Sequence, residues 1–222
     1  MEQAVSSVRV GAIVPSRGDR PRFLENCIRQ LSTQTLKPVE IAVMDYEPES
    51  VCKDITQRYR RGYDKLRGKE LDVISLIEDD DYYSPDYLEY MVDKWLHYDK
   101  PDLLGNSYTW YYNLRLKAYF KMEHHTQSHA MSTLIKPDLN FPWCPDNEAF
   151  TDVWLWNLHS HLKGTIFTPD HTICMGMKHG VGLTGANSHT TNLYRFKFPD
   201  TDLAFLRSNL AEPSFQFFST YF

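Results

Sequence analysis

LDVISLIEDDDYYSPDYLEYM, residues 71–91, joins a strand pattern to a helix pattern through four consecutive carboxylates. The apolar run LDVISLI is rich in aliphatic and β-branched residues, which is typical of a buried strand. Ser84 and Pro85 are typical of the N-cap and the first residue of a helix. From Tyr87 onward, apolar residues recur at helical spacing. The segment therefore predicts a strand, an acidic turn and a helix.

The same strand–helix order occurs twice more upstream of this segment. VRVGAIVP at residues 8–15 has the composition of a buried strand, and Pro21 begins a helical pattern. VEIAVMD at residues 39–45 is a second strand pattern, and Ile55 and Tyr59 lie on a second helical pattern. Three strand–helix units within roughly 95 residues predict right-handed crossovers and a parallel sheet.

The second half of the chain shows strand patterns with few helices between them. These strand patterns cover residues 103–113, 114–122, 129–137, 164–169 and 171–178. A helical pattern extends from about residue 148 to residue 163. We therefore expect an α/β fold with a mostly parallel central sheet flanked by helices, followed by a mixed second half, all in one domain.

The composition excludes several classes of protein. The 222 residues are 42% hydrophobic and 24% charged, which excludes a disordered or collagen-like chain. The net charge of −5 argues against a wholly basic nucleic-acid coat. The four cysteines are Cys27, Cys52, Cys144 and Cys174; they are widely separated, which favours buried reduced thiols. No secretory signal or membrane-spanning run is evident, so we expect a soluble cytoplasmic protein.

Polar residues follow each of the first three predicted strands, at residues 16–20, 45–47 and 78–81. Ligands of open parallel sheets bind at the carboxyl ends of the strands. Four consecutive carboxylates repel one another unless a cation or solvent screens them. A solvated turn would account for the run, but hard oxygen ligands in this position favour a site for Mg²⁺ or Mn²⁺, which commonly bridges phosphates.

These three segments resemble family 2 glycosyltransferases of the GT-A fold. The resemblance is carried by VGAIVPSRGDRPRFLENCIRQLSTQT, VEIAVMDYEP and ISLIEDDDYYSPDYLEYM, and it covers the first 95 residues or so closely. It implies a nucleotide-diphosphate sugar donor, most simply a UDP-sugar, with Mn²⁺ or Mg²⁺ on its diphosphate. It also implies a division of the single domain into a nucleotide-sugar half (1–100), an acceptor and catalytic half (101–199) and a C-terminal tail (200–222).

The resemblance assigns donor-binding roles after the first two strands. Pro15, Ser16 and Arg17 match the turn that contacts the nucleotide. Asp45 matches the first of the family's two acids after the second strand. Tyr46 stands in place of the second acid and departs from the pattern, which leaves the choice of nucleobase open.

The family's D-x-D metal motif falls on the acidic run. Aligned on the following proline, Glu78 and Asp80 occupy the outer positions of the motif, and Glu78 replaces its usual first aspartate. We therefore predict Asp80 and Asp81 as the metal ligands. Asp79 is predicted to contact the donor. A shift of the motif alignment by one residue would make Asp79 a metal ligand as well.

The segment NEAFTDVWLWNLH is similar to the family's acid-acid-x-x-L segment, which carries the catalytic base of inverting members. Asp152 matches that base, and Thr151 takes the place of the preceding acid. A carboxylate is unprotonated at neutral pH and suits the removal of a proton from an acceptor hydroxyl. Asp146 and Glu148 are the alternative bases, and a purely structural role at a helix start is the alternative for Asp152.

The family often supplies a third metal ligand as a histidine late in the chain. His179 is the candidate here, and His189 is the weaker alternative. Lys178 is predicted to pair with the donor diphosphate. The glycine-rich segment 180–189 between the two histidines is suited to a closing lid.

The sequence thus predicts a metal-dependent, inverting glycosyltransferase whose acceptor is a glycan, a small molecule or a hydroxylated DNA base. Basic segments at 17–22, 58–69 and 115–121 would suit a DNA acceptor, or they are solvated surface. Trp110 and Tyr112 are candidate stacking residues. A nucleotidyltransferase and a non-catalytic nucleotide-sugar-binding module remain the alternative functions.

Overall fold

The computed structural model describes residues 4–47, 54–139, 143–146, 148, 150–157, 162–181 and 192–222. The first part consists of three strands and three helices that alternate, as predicted. The strands are β1 Val10–Pro15, β2 Glu40–Met44 and β3 Val73–Leu76, and the helices are α1 Pro21–Ser32, α2 Ile55–Leu66 and α3 Tyr87–His97. β1 is parallel to both β2 and β3 and is buried along its whole length.

A six-stranded sheet contains these three strands and extends through β8 Thr133–Ile135, β5 Leu103–Asn106 and β9 Gly164–Phe167, in the order β2-β1-β3-β8-β5-β9. Within it, β8 is antiparallel to both of its neighbours, while β5 and β9 are parallel to each other. Apolar side chains from β1, β3 and the flanking helices form the core on both faces of the sheet. The mostly parallel central sheet flanked by helices is confirmed.

A second sheet has five strands, namely β4 Tyr82–Tyr83, β6 Tyr108–Asn113, β7 Ala118–Glu123, β10 Cys174–Lys178 and β11 Phe198–Pro199. Their order is β11-β7-β6-β10-β4. β10 runs parallel to β6 and antiparallel to β4, which directly follows the acidic run. This sheet therefore brings the end of β10 beside residues 78–81.

The boundaries of several predicted elements were wrong. The predicted strand 103–113 divides at Ser107, because β5 pairs within the first sheet and β6 crosses to the second. α3 begins at Tyr87, and Ser84 donates its hydroxyl to Asp86 over 2.6 Å instead of capping the helix. The helix predicted over residues 148–163 is α4 Thr151–Asn157 in the described part of the chain.

Residues 200–222 contain two helices that the sequence analysis did not predict, α5 Ala204–Asn209 and α6 Glu212–Ser219. Their apolar residues pack with α1 and with the second sheet. Phe218 is fully buried in this cluster, together with Phe23 of α1 and Met177 of β10. The C-terminal segment therefore supports the element that carries Lys178 and His179.

Cys27, Cys144 and Cys174 are buried free thiols, which agrees with the prediction of reduced cysteines. Cys52 lies outside the described residues. No helix in the described part of the chain has both the length and the apolar composition needed to cross a bilayer.

Candidate metal and substrate site

The loops after β1 and β2 meet at one edge of the central sheet. The backbone N–H of Ser16 donates to the carbonyl of Met44 over 3.0 Å, which joins the two loops. Arg58 of α2 is fully buried beneath them and donates from Nη1 to the carbonyls of Ser16 (2.5 Å) and Met44 (2.7 Å). Asp54 pairs with the same guanidinium at 2.8 Å. Arg58 therefore fixes the shape of the predicted donor turn.

The predicted donor-binding residues surround this edge. Pro15 and Ser16 are buried, Arg17 is half-buried and lies 3.5 Å from Asp54, and Asp45 is exposed. Tyr46, the departure from the family pattern, lies in contact with two guanidinium groups. The Cζ atom of Arg58 is 4.2 Å and that of Arg61 is 4.7 Å from the centre of its ring. Cation–π contacts of this kind stabilise the ring position.

The acidic run forms a compact cluster at the neighbouring strand end. One carboxylate oxygen from each of Glu78, Asp80 and Asp81 lies within 4.8 Å of the other two. Asp81 accepts a hydrogen bond at Oδ1 from the backbone N–H of Met177 over 2.8 Å. Its other oxygen, Oδ2, is buried and has no hydrogen-bond partner among the described residues.

Arg20, which the sequence analysis did not single out, provides the counter-charge to this cluster. Its guanidinium donates from Nη2 to Asp79 Oδ1 over 2.7 Å and from Nη1 to Asp80 Oδ2. Burial alone would raise the pKa of Asp80, but the Arg20 guanidinium and the His179 hydrogen bond hold that pKa well below its usual range. Asp80 is therefore a stable carboxylate.

The neighbouring acids behave differently, because burial and the negative charge around them outweigh the effect of the nearby cations on their pKa. Burial, together with the negative charge of Asp80, raises the pKa of Glu78 and of Asp79 to about 7. Burial, Glu78 and Asp80 raise the pKa of Asp81 well above its usual range. The cluster thus holds more negative charge than its described surroundings neutralise, and an added cation would stabilise it.

β10 brings His179 and Lys178 to the same cluster. The Nε2 atom of His179 lies 2.9 Å from Asp80 Oδ2, and its Nδ1 accepts the backbone N–H of Val181 over 3.0 Å. The ring is fully buried against Phe23, with 4.0 Å between ring centres. The ammonium of Lys178 lies 5.0 Å from the centre of the Tyr111 ring, and its charge lowers the pKa of the clustered acids.

A cavity of about 390 Å³ opens next to the cluster. Its walls include Glu78 from the acidic run and Asp152 from the first turn of α4. Burial raises the pKa of Asp152 above its usual range. Of the alternative bases, Asp146 accepts two hydrogen bonds from Arg60, at 3.0 and 2.7 Å, and is not among the residues that line the cavity.

The cavity is also lined by three residues that the sequence analysis did not assign to a site. His124, His129 and Tyr111 all line the cavity. The Tyr111 hydroxyl and His129 Nδ1 share a hydrogen bond, and the ring centres of the two histidines are 4.0 Å apart. Burial and the nearby charge of His124 and Lys178 lower the pKa of His129 to about 3.

Neither of the predicted stacking residues, Trp110 and Tyr112, lines the cavity. Tyr112 is fully buried and donates its hydroxyl to Asp200 over 3.0 Å. Trp110 packs against Phe205, with 5.2 Å between ring centres. Since side chains alternate along a strand, Tyr111 between them faces the cavity instead.

The chemistry of the cluster fits a hard divalent cation. Three carboxylates lie close enough together to bind one ion, and one of their oxygens, Asp81 Oδ2, is buried without a partner among the described residues. This donor set suits Mg²⁺ or Mn²⁺. Both described contacts of Asp80, from Arg20 and His179, are made to Oδ2. His179 contacts the cluster through Asp80 and is not itself within the group at ligand distance.

Two further predictions concern the glycine-rich segment with its second histidine and the basic segments. His189 and most of the glycine-rich segment 180–189 lie outside the described residues. The basic segments are partly internal, because Arg20 and Arg58 are buried in ion pairs and are therefore not part of a basic surface. An arginine within a basic segment was thus a poor guide to exposure in this chain.

Comparison with solved structures identifies the fold. The glycosyltransferase TarS of S. aureus aligns with a TM-score of 0.50 and 9% identity, over 78% of this chain and 37% of TarS. A crystal structure of TarS 1–349 in complex with UDP aligns with a TM-score of 0.48 and 12% identity, over 77% of this chain and 60% of that one. The chain therefore spans less than two thirds of the length of these structures. No family model and no curated protein matches this chain. The predicted GT-A type of α/β fold is confirmed.

Proposed function

We propose that this protein is a metal-dependent glycosyltransferase that moves a sugar from a nucleotide-diphosphate sugar to an acceptor hydroxyl. The observation that carries the proposal is the position of Glu78. It belongs to the carboxylate cluster and also lines the cavity that contains Asp152. A metal-bound diphosphate and an attacking hydroxyl would therefore lie on either side of one continuous space.

Asp80 and Asp81 would hold Mg²⁺ or Mn²⁺, with Glu78 as the third carboxylate. When bound, the cation supplies positive charge to the diphosphate and so stabilises the leaving group. Lys178 is near enough to the same acids to add a further positive charge beside the diphosphate. His179 holds Asp80 in place from its buried side.

Asp152 is the proposed base. Its carboxylate lies in the first turn of α4 and lines the cavity, and its raised pKa makes it a better proton acceptor than an exposed aspartate. Base and leaving group on opposite faces of the sugar carbon favour a single displacement with inversion, as in inverting glycosidases. Among the described residues that line the cavity, Glu78 is the only carboxylate besides Asp152.

The donor turn after β1 would receive the nucleotide. Arg58 holds the Ser16 carbonyl from below, so Ser16 and Arg17 are presented at the sheet edge beside Asp45. The resemblance of these segments to family 2 glycosyltransferases makes UDP-sugars the first donors to test. The acceptor class is a glycan, a small molecule or a hydroxylated DNA base.

The direct test is transfer or slow hydrolysis of nucleotide sugars with Mn²⁺ present. Release of a nucleoside diphosphate from a UDP-sugar, abolished by a chelator, would support the proposal. Release of pyrophosphate from a nucleoside triphosphate would support the alternative, a nucleotidyltransferase. If the protein binds nucleotide but shows no turnover with acceptors of all three classes, the result would support the other alternative, a non-catalytic binding module.

A further inference from the structure

His124 lies in the cavity wall with one ring nitrogen buried and unpartnered among the described residues. Its side chain lines the cavity and is only 9% exposed. The Nε2 atom is buried and has no hydrogen-bond partner among the described residues. A buried polar atom without a partner has lost its hydrogen bonds to water without replacing them, which destabilises the folded state unless a ligand supplies the partner.

His129 beside it provides a contrast. The two rings meet edge to face, with their centres 4.0 Å apart, and both residues are buried. His129 Nδ1, however, is satisfied by the hydroxyl of Tyr111. Burial lowers the pKa of both histidines, so both rings are neutral at physiological pH. Each neutral ring offers one donor and one acceptor nitrogen.

The charge of the cavity restricts the ligand that His124 could bind. Two carboxylates, Glu78 and Asp152, and one guanidinium, Arg195, line the same space. The carboxylates outnumber the guanidinium, which disfavours an anionic group here. Ile55, Met122 and Phe150 add apolar surface to the wall. Polar groups between apolar patches suit a sugar ring, which has hydroxyls at its edge and C–H groups on its faces.

We propose that His124 is a specificity-determining residue that hydrogen-bonds a hydroxyl of an uncharged sugar ring bound in this cavity. The inference rests on the proposed function and extends it to the group that occupies the cavity. The ring is either the donor's sugar or a sugar of the acceptor; both have the same hydroxyl chemistry, and the experiment below distinguishes them.

The first arm measures stability without ligand. His124→Phe keeps the shape of the ring and removes an unpartnered nitrogen, so its urea unfolding midpoint should equal or exceed that of the wild type. His129→Phe is the matched control, because it leaves the Tyr111 hydroxyl without a partner and should lower the midpoint. A loss of stability in His124→Phe as large as in His129→Phe would overturn the inference, since it would show a structural role for His124.

The second arm measures binding by calorimetry with Mg²⁺ present. The probes are UDP, UDP-glucose and the methyl glycosides of glucose, galactose, mannose and N-acetylglucosamine. We expect His124→Phe to bind UDP like the wild type and to bind one sugar-bearing probe about tenfold more weakly, which corresponds to about 1.4 kcal/mol. His124→Gln, which keeps a side-chain donor and acceptor, should recover most of that affinity.

The pattern of losses identifies the source of the ring. A loss confined to UDP-glucose assigns the donor sugar, and a loss confined to a methyl glycoside assigns an acceptor sugar. Unchanged affinity of His124→Phe for every sugar-bearing probe, or no sugar affinity in the wild type, would overturn the inference while UDP binding leaves the proposed function intact. Failure of the wild type to bind any nucleoside diphosphate would instead contradict the proposed function.

Discussion

The Nη2 atom of Arg20 donates a hydrogen bond to Oδ1 of Asp79 over 2.7 Å, although the two residues are 59 positions apart in the chain. Both side chains are largely buried, with 13% and 2% of their surfaces exposed. A guanidinium in this position neutralises part of an acidic cluster that would otherwise repel itself. It occupies space next to the carboxylates that would hold a metal.

Arg20→Met should therefore destabilise the ligand-free protein by about 3 kcal/mol, because it leaves buried carboxylates without their cation. Mn²⁺ should restore part of this loss and should stabilise the variant more than the wild type. Urea unfolding with and without Mn²⁺ measures both effects. Arg22→Met is the control: Arg22 is exposed, and the loss of its cation–π contact with Tyr221 should cost no more than about 1 kcal/mol. Equal stabilisation of Arg20→Met and wild type by Mn²⁺ would contradict this prediction.

Asp81→Asn separates metal binding from folding. The asparagine Oδ1 can still accept the Met177 N–H, while an amide group replaces the unpartnered Oδ2 among the other carboxylates. We expect a higher unfolding free energy without metal, because one buried like charge is removed. Mn²⁺ affinity, measured by calorimetry, should fall by at least about tenfold. Unchanged Mn²⁺ affinity would exclude Asp81 as a ligand.

Asp152→Asn should lower the transfer rate by about 10²-fold or more, because the amide cannot accept the acceptor's proton. Donor affinity should stay near that of the wild type. Asp146→Asn is the matched control, since Asp146 pairs with Arg60 and does not line the cavity. If Asp146→Asn loses transfer and Asp152→Asn does not, the base has been assigned to the wrong residue.

Acid should destabilise the protein partly through His129. Its folded pKa of about 3 lies below the ordinary 6.5, so the unfolded chain binds the extra proton as the pH falls through 6.5. The stabilisation of the folded state by neutral His129 is fully present above pH 6.5. Its loss lowers the free energy of unfolding by about 2 kcal/mol between pH 7 and pH 5. His129→Asn can still accept from Tyr111 but does not titrate. On acidification the wild type should therefore lose more unfolding free energy than His129→Asn. A stability difference between the two that does not change with pH would contradict the lowered pKa of His129.

Local patterns in the sequence were sufficient to predict the central sheet and the acidic cluster. The strands before Ser16, Asp45 and Glu78 each showed a mostly apolar run, and parallel strands bring their carboxyl ends to one edge. That rule places the acidic run at the ligand-binding edge, while the choice of Asp80 and Asp81 as metal ligands came from the resemblance to the family's D-x-D motif.

The supporting residues could not be predicted in the same way. Arg20 and Arg58 stood in segments that resemble solvated basic surface, and only the tertiary fold brings them to Asp80 and to the Ser16 carbonyl. The role of Tyr111 depended on a change of sheet at Ser107, which a continuous strand pattern does not reveal. These contacts join distant positions of the chain, and no local periodicity reports them.

The most direct test of the central claim is thermal melting of the wild type with nucleoside diphosphates and UDP-sugars, each with and without Mn²⁺. A ligand at 100 times its dissociation constant adds about 2.7 kcal/mol, which corresponds to roughly 5–10 °C for a chain of this length. A metal-dependent nucleotide site predicts a shift of this size for one nucleotide only when Mn²⁺ is present, and its loss in Asp81→Asn. No shift with any nucleotide and metal, or the same shift in Asp81→Asn, would contradict the account.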